Sequence, residues 1–237
     1  MSSVVDSEFG VIEFVSSAKA RSINVRILAD KLRVSVPRRC TEKEAMKFVN
    51  SVRDKILAKQ QKIKRNVAEN KLVLSVDNPL QTLTFSVVLS PANRNDIFFS
   101  FKAGVLRVDF PEGQDITGDN VQSLIWNGIV YFLKKEAKRV LPERVSLLAR
   151  ENGFSYASVK IQSSKSRWGS CSQAKNINLS LYLMLLPQHL VDYVILHELC
   201  HTKEMNHGAG FWMWMDKVTG GNSKKLRAEL KKYRMPE

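Results

Sequence analysis

The chain is 237 residues long and 44% hydrophobic, with 37 Lys and Arg against 23 Asp and Glu and a net charge of +14. That length supplies one large core or two small ones. Residues 1–17 carry acids and lack a basic start followed by an apolar stretch, so they do not read as a signal peptide. No run reaches membrane-spanning length, so no membrane partner is expected. Cys40, Cys171 and Cys200 are odd in number and do not form a disulfide framework, which fits a reduced cytoplasm. The basic excess lies largely in Lys55, Lys59, Lys62, Lys64 and Arg65 and in Lys224, Lys225, Arg227, Lys231, Lys232 and Arg234. It concentrates anions such as nucleic acid or nucleotides around the chain, although solvated helix faces explain such runs more often than nucleic acid does.

In chain order, Ile23, Val25 and Ile27 alternate with polar residues, as do Leu32, Val34 and Val36, a β-hairpin pattern that Pro37 ends. Thr41 and Glu44 offer a capping box for a helix running to about Lys64, its apolar side formed by Ala45, Phe48, Val49, Val52 and Ile56. Leu83, Phe85 and Val87 predict a further strand, and residues 97–110 supply two more around Ala103-Gly104. The run Leu106-Arg107-Val108-Asp109-Phe110-Pro111 echoes Leu32-Arg33-Val34-Ser35-Val36-Pro37. An internal duplication and a shared strand-to-proline grammar both explain that echo.

Residues 119 to about 150 turn helical, with Val121, Leu124, Ile125, Ile129, Phe132 and Leu133 on one face and Pro142 starting a new segment or kinking the old one. The cluster of Pro111, Gly113 and Gly118 puts a domain boundary near Thr117, dividing the chain into residues 1–117 and 118–237. Residues 158–162 and 176–185 read as strands. Pro187 then opens a helix packed through Val191, Val194, Ile195 and Leu199.

That helix carries the chemistry. In His197-Glu198-Leu199-Cys200-His201 the two histidines sit one turn apart on one helical face and can share a metal ion. Glu198 lies about 100° round the helix, free to hold water instead of the metal. His207 is roughly 600° beyond His201, so the helix must end and fold back. Asn206, Gly208 and Gly210 permit that turn, and Phe211-Trp212 can anchor the returning segment. Glu204 is a competing ligand; orienting a ligand imidazole and a solvated helix end are its two alternatives. His189 lies roughly 12 Å upstream along the axis and cannot share the metal. A closed structural zinc site usually recruits several cysteines, and no cysteine pair here has that spacing.

The segment Arg167-Trp168-Gly169-Ser170-Cys171, the strand Asn176-Ile177-Asn178-Leu179-Ser180, Leu186-Pro187, the helix from Asp192-Tyr193-Val194 into the two histidines, and Lys203-Glu204-Met205-Asn206-His207 before Phe211-Trp212 occur in this order. Together they resemble the YgjP-like predicted metal-dependent hydrolases, relatives of the zincin metallopeptidases that include SprT-type and WSS-type proteins. The match is dense over residues 136–215 and less clear over 67–118. The resemblance implies an α+β fold with a zincin-like C-terminal domain built around a metal-binding helix, preceded by a β-hairpin-rich N-terminal region with helices. It implies His197, His201 and His207 as zinc ligands, Glu198 as catalytic base, and residues 168–171 beside the metal cleft. Family members are described both as peptidases and as nucleotide pyrophosphatases.

Zinc is the expected cofactor, with another divalent transition metal as the alternative. Three imidazoles leave a fourth position open, and Glu198 can move a proton between water and a leaving group. Trp168 is either core or a cleft wall. Arg167, Lys165 and Lys160 can meet phosphate charge, but the chain has no Gly-rich phosphate loop. Arg167, Tyr156, Tyr182 and Tyr193 are candidates for stabilising an oxyanion. Residues 176–181 are a candidate edge strand for an extended substrate. Three functions follow in order: a zinc metallopeptidase acting on peptide or protein, a metal-dependent UTP pyrophosphatase, and a nucleic-acid-associated module with a structural zinc site.

Overall fold

The computed structural model describes residues 2–18, 20–69 and 73–236, the side chains of 65–69 excepted, so Arg65 of the basic run falls outside the described side chains. The class is α+β. Two compact units are present, Met1–Lys71 and Leu72–Glu237.

In the first unit, β1 (Ser2–Asp6), β2 (Gly10–Ser17), β3 (Asn24–Ile27) and β4 (Lys31–Pro37) form a sheet of order β1-β2-β4-β3, followed by α1 (Glu42–Ser51) and α2 (Arg53–Glu69). The β3–β4 pair is the hairpin expected from its alternation. Gly10 is required by its surroundings: its φ is +77° and a Cβ would lie 2.5 Å from the Asp30 carbonyl oxygen. Thr41 and Glu44 form the expected capping box. The helix they start breaks at Val52, so the expected single helix is two. Ala45, Val49, Ile56 and Gln60 form its buried side, while Phe48 is exposed.

The second unit opens with the same topology. Here β5 (Leu80–Gln81), β6 (Ser86–Ala92), β7 (Phe98–Lys102) and β8 (Val105–Pro111) run in the order β5-β6-β8-β7. In both sheets the inner pair is parallel over seven residues ending at a proline, Val11 opposite Lys31 through Ser17 opposite Pro37 and Ser86 opposite Val105 through Ala92 opposite Pro111. The echo between Leu32–Pro37 and Leu106–Pro111 therefore occupies the same strand of a repeated unit. The β7–β8 turn is tight, with positive φ at both Ala103 (49°) and Gly104 (74°).

A single helix, α3 (Asp119–Asn152), then continues past Pro142 to a left-handed cap at Gly153, so no new segment starts there. Proline removes one ladder hydrogen bond, at a cost of about 3 kcal/mol or more. Leu133, Ala137, Leu141 and Val145, all fully buried on both sides of the proline, hold the helix together in spite of it. Gly128 admits the Phe99 ring so closely that a Cβ would lie 2.1 Å from it. The division expected near Thr117 falls within this unit. Val87, Leu89, Leu106, Val108 and Phe110 of the sheet share one core with Ile125, Ile129 and Leu133 of α3 and with the elements that follow, so the Pro/Gly cluster at 111–118 is an internal loop.

The rest of this unit builds the site. A three-stranded sheet of order β10-β11-β9 combines β9 (Ser158–Gln162), β10 (Gly169–Cys171) and β11 (Asn176–Ser180), with β9 parallel and β10 antiparallel to β11. Residues 181–185, expected to continue the strand, form a 3-10 turn. Leu181, Leu183 and Met184 are buried alike, and an apolar run buried all round carries no period that separates strand from helix. Then come α4 (Gln188–Cys200), α5 (Ala209–Val218) and α6 (Ser223–Leu230). Arg144 of α3 holds both Asp192 oxygens at 2.7 Å, tying α4 to the long helix. No described helix is long and apolar enough to cross a membrane.

Candidate metal centre and active site

The α4 helix is buried along Leu190, Val191, Val194, Ile195 and Leu199, which fixes the face bearing His197. The helix stops at Cys200. His201 is its cap, and a short turn returns His207 to the same point before Gly208 caps α5. The ligating atoms of His197, His201 and His207 all lie within 4.8 Å of one another. Phe211, fully buried at the start of α5, backs all three, with its ring centroid 4.8, 4.6 and 4.7 Å from theirs. The sequence suggested an anchor here but not this shared support.

These residues fit a divalent transition metal. The Nε2 atoms of His197 and His207 are 3.0 Å apart, close to the roughly 3.3 Å between nitrogens on a tetrahedral ion with Zn–N near 2.0–2.1 Å. His201 Nδ1–H donates to the Glu204 backbone carbonyl at 3.0 Å. A carbonyl only accepts, so Nδ1 holds the proton and Nε2 keeps its lone pair for a metal. Burial, aided by the neighbouring imidazoles, pushes His197 down to about 3. His201 is lowered as well, chiefly by burial. Both imidazoles are thereby held neutral, the form that ligates.

Glu198 is 5% exposed, and burial pushes its pKa up to about 8 against the opposing pull of Arg167. Its Oε2 is buried without a hydrogen-bond partner among the described residues. Gly169 lies directly over this carboxylate: a Cβ there would be 2.7 Å from Oε1, 2.8 Å from Cγ and 2.9 Å from Cδ. The glycine of the Trp168-Gly169-Ser170-Cys171 run is what lets β10 approach the metal helix.

β10 is an edge strand, and no described strand pairs with its outer side. Trp168 and Ser172 bond inward to Ser180 and Asn176 across the antiparallel ladder. The alternation of that ladder leaves the Gly169 and Cys171 main-chain groups facing outward. The residues 176–181, expected to be the edge, include the central strand β11 instead.

Beside Glu198 and His197 opens a cavity of about 380 Å3, lined among others by Arg167, Trp168, Gly169 and Tyr193. Trp168 thus both packs on the core and forms a wall. Of the candidates for an oxyanion, Arg167 and Tyr193 line this cavity and Tyr156 and Tyr182 do not; of the candidates for phosphate, Arg167 lines it and Lys160 and Lys165 do not. The Glu204 carboxylate packs over Gly210, at 3.2 Å from the position of a Cβ there, and it is the backbone of Glu204 that touches a histidine. His189 bonds Glu229 at 2.7 Å, away from the triad. Cys200 is buried, its thiol pushed up to about 12 by burial.

Two solved structures are similar to the chain. The metallopeptidase zymogen of Pyrococcus abyssi, abylysin, is 23% identical over 41% of this chain and 100% of its own, with a TM-score of 0.36. The metallopeptidase zymogen of Methanocaldococcus jannaschii, jannalysin, is 22% identical over 39% of this chain and 94% of its own, with a TM-score of 0.35. No curated protein matches. The model of the YgjP-like family, metallopeptidase domain, matches residues 21–233, and with nearly the whole chain covered, the protein belongs to that family of metal-dependent hydrolases.

Proposed function

We propose that the protein is a zinc metallopeptidase with a zincin-like catalytic domain, in which His197, His201 and His207 hold the ion and Glu198 is the general base. When bound, zinc supplies Lewis acidity, acidifying water towards a pKa of about 7 and polarising a carbonyl. The chain's own residues do the rest. Glu198 takes the proton of the attacking water at its free Oε2, holds it within a site dry enough to keep a carboxyl neutral, and returns it to the departing amine. Arg167 and Tyr193 are the donors we propose for the developing oxyanion. Gly169 and Cys171 offer outward N–H and C=O groups to which an extended peptide can add as a further strand, bringing its carbonyl over the triad.

The observation that carries this reading is the convergence of three imidazoles on one point beside a buried carboxylate whose Oε2 has no hydrogen-bond partner among the described residues, under an edge strand with no described strand on its outer side. Main-chain pairing along an edge is a mode of recognising an extended peptide. The test is to strip the metal with a chelator, restore zinc, and follow a peptide mixture by mass spectrometry beside UTP. Peptide cleavage that returns only with zinc is the expected result. Pyrophosphate release from UTP with no peptide cleaved would replace this reading with a nucleotide hydrolase.

A further inference from the structure

The cavity beside Glu198 has more positive charge than the peptidase reading uses: that reading engages Arg167 and leaves Arg227 and Lys231 without a role. Three cations line the cavity, Arg167 from the segment before β10, Arg227 from α6 and Lys231 just after α6, against the single carboxylate of Glu198, so the lining is net positive. None of the three forms an ion pair among the described residues, whereas Arg53, Arg94, Arg107, Arg139 and Arg144 each hold a carboxylate. Glu229, the one acid within α6, is engaged by His189 at 2.7 Å. Like charges gathered round one cavity repel one another, and an entering anion relieves that repulsion. Arg227 is also held in place, its guanidinium 4.9 Å from the centroid of the Trp212 ring. A fixed planar fork of N–H donors matches a carboxylate in both spacing and charge.

Trp168, Tyr193, Leu230 and Tyr233 supply apolar wall between these charges, suited to the aliphatic stem that carries an acid. Gly169 belongs both to the lining and to the outward-facing edge of β10, so a peptide paired along β10 delivers a neighbouring group into the cavity. We propose that this cavity is a specificity subsite that takes a carboxylate of the peptide substrate, from an acidic side chain or from the peptide's own C-terminus, next to the bond that is cut. The assignment rests on the peptidase reading above. It makes Arg227 and Lys231, residues of a basic run that reads in sequence as a solvated helix end, determinants of substrate choice.

The full-length zinc protein is given three sets of synthetic peptides: amide-capped peptides with Glu scanned through each position, the same peptides with Gln, and Gln peptides with a free C-terminus. The expected result is a kcat/KM roughly tenfold or more higher for one carboxylate-bearing set, the discrimination one charge-assisted contact gives; which set is favoured identifies the source. In Arg227→Gln/Lys231→Gln that ratio falls to about one, whatever the absolute rate. Equal cleavage of all sets, or a ratio unchanged in the double variant, overturns the subsite and leaves the peptidase reading standing. A binding arm separates the two further. The same peptides and inorganic pyrophosphate are titrated calorimetrically into zinc-loaded Glu198→Gln, with and without the two substitutions. Carboxylate-dependent binding that weakens with salt and is lost in the substituted protein supports the subsite independently of turnover. Preferential binding of pyrophosphate overturns it in favour of a phosphate site.

Discussion

Gly169→Ala places one methyl group against the residue assigned as base, whose atoms are the three nearest to it. The added Cβ would lie 2.7 Å from Oε1, 2.8 Å from Cγ and 2.9 Å from Cδ of Glu198, about 0.7 Å short of ordinary contact at its closest point. Gly169 has no left-handed φ, so alanine introduces no backbone strain and the whole effect comes from the clash. The carboxylate must shift by most of that distance. A misplacement near 1 Å costs on the order of 10²-fold in rate, so kcat/KM is expected to fall by roughly 30–100-fold. Overpacking costs about 1–3 kcal/mol, a few degrees in Tm. Zinc stoichiometry, measured by atomic emission on the dialysed protein, is expected to equal that of the parent because the three atoms nearest the new methyl all belong to Glu198. Parent-like kcat/KM in a fully metallated Gly169→Ala protein would refute the positioning role given to this contact.

Gly128→Ala should lose stability although alanine is the better helix former by about 1 kcal/mol, because its Cβ would sit 2.1 Å from the Phe99 ring; a higher Tm by calorimetry would show that the ring yields easily. Phe211→Ala is expected to cost about 3–5 kcal/mol as a core truncation and to weaken zinc binding, since one ring backs all three imidazoles; unchanged affinity in a competition assay with a chromogenic chelator would contradict that support. In the metal-free protein, burial pushes Glu198 from 4.5 to about 8 and His197 from 6.5 down to about 3. The proton held by Glu198 stabilises the fold fully below pH 4.5 and ceases to do so as pH rises through 8. The neutral form of His197 stabilises above pH 6.5 and is lost as pH falls through 3. These two groups therefore contribute a plateau between pH 4.5 and 6.5 with a decline on either side, and Glu198→Gln should abolish the alkaline decline between pH 6.5 and 8. A decline of the same size in the variant would assign it to other groups.

His197, His201 and His207 cluster over an interval of 11 residues that also contains Glu198, so helical periodicity and one obligatory turn were enough to expect their convergence. Tertiary approach is what stayed hidden. Gly169 meets Glu198 across 29 positions of chain, and β10, a three-residue Gly-Ser-Cys strand, offers no alternation to read. β11 has the stronger strand signal because it lies inside the sheet, which also disqualifies it as the substrate edge. Pro142 reads as a break, yet buried Leu141 and Val145 outweigh its missing hydrogen bond. The loop at 111–118 has the composition of a linker, but the apolar residues before and after it share one core. Arg227 and Lys231 look like any basic helix end until the fold turns them towards the cavity.

The central claim is that Glu198 moves the proton while the histidines hold the ion. Turnover of a zinc-cleaved peptide by Glu198→Gln, measured beside its zinc content, tests this most directly. Full metal occupancy with turnover lowered by several orders of magnitude is the predicted result; a metal-replete variant that cleaves at the parent rate would contradict the account.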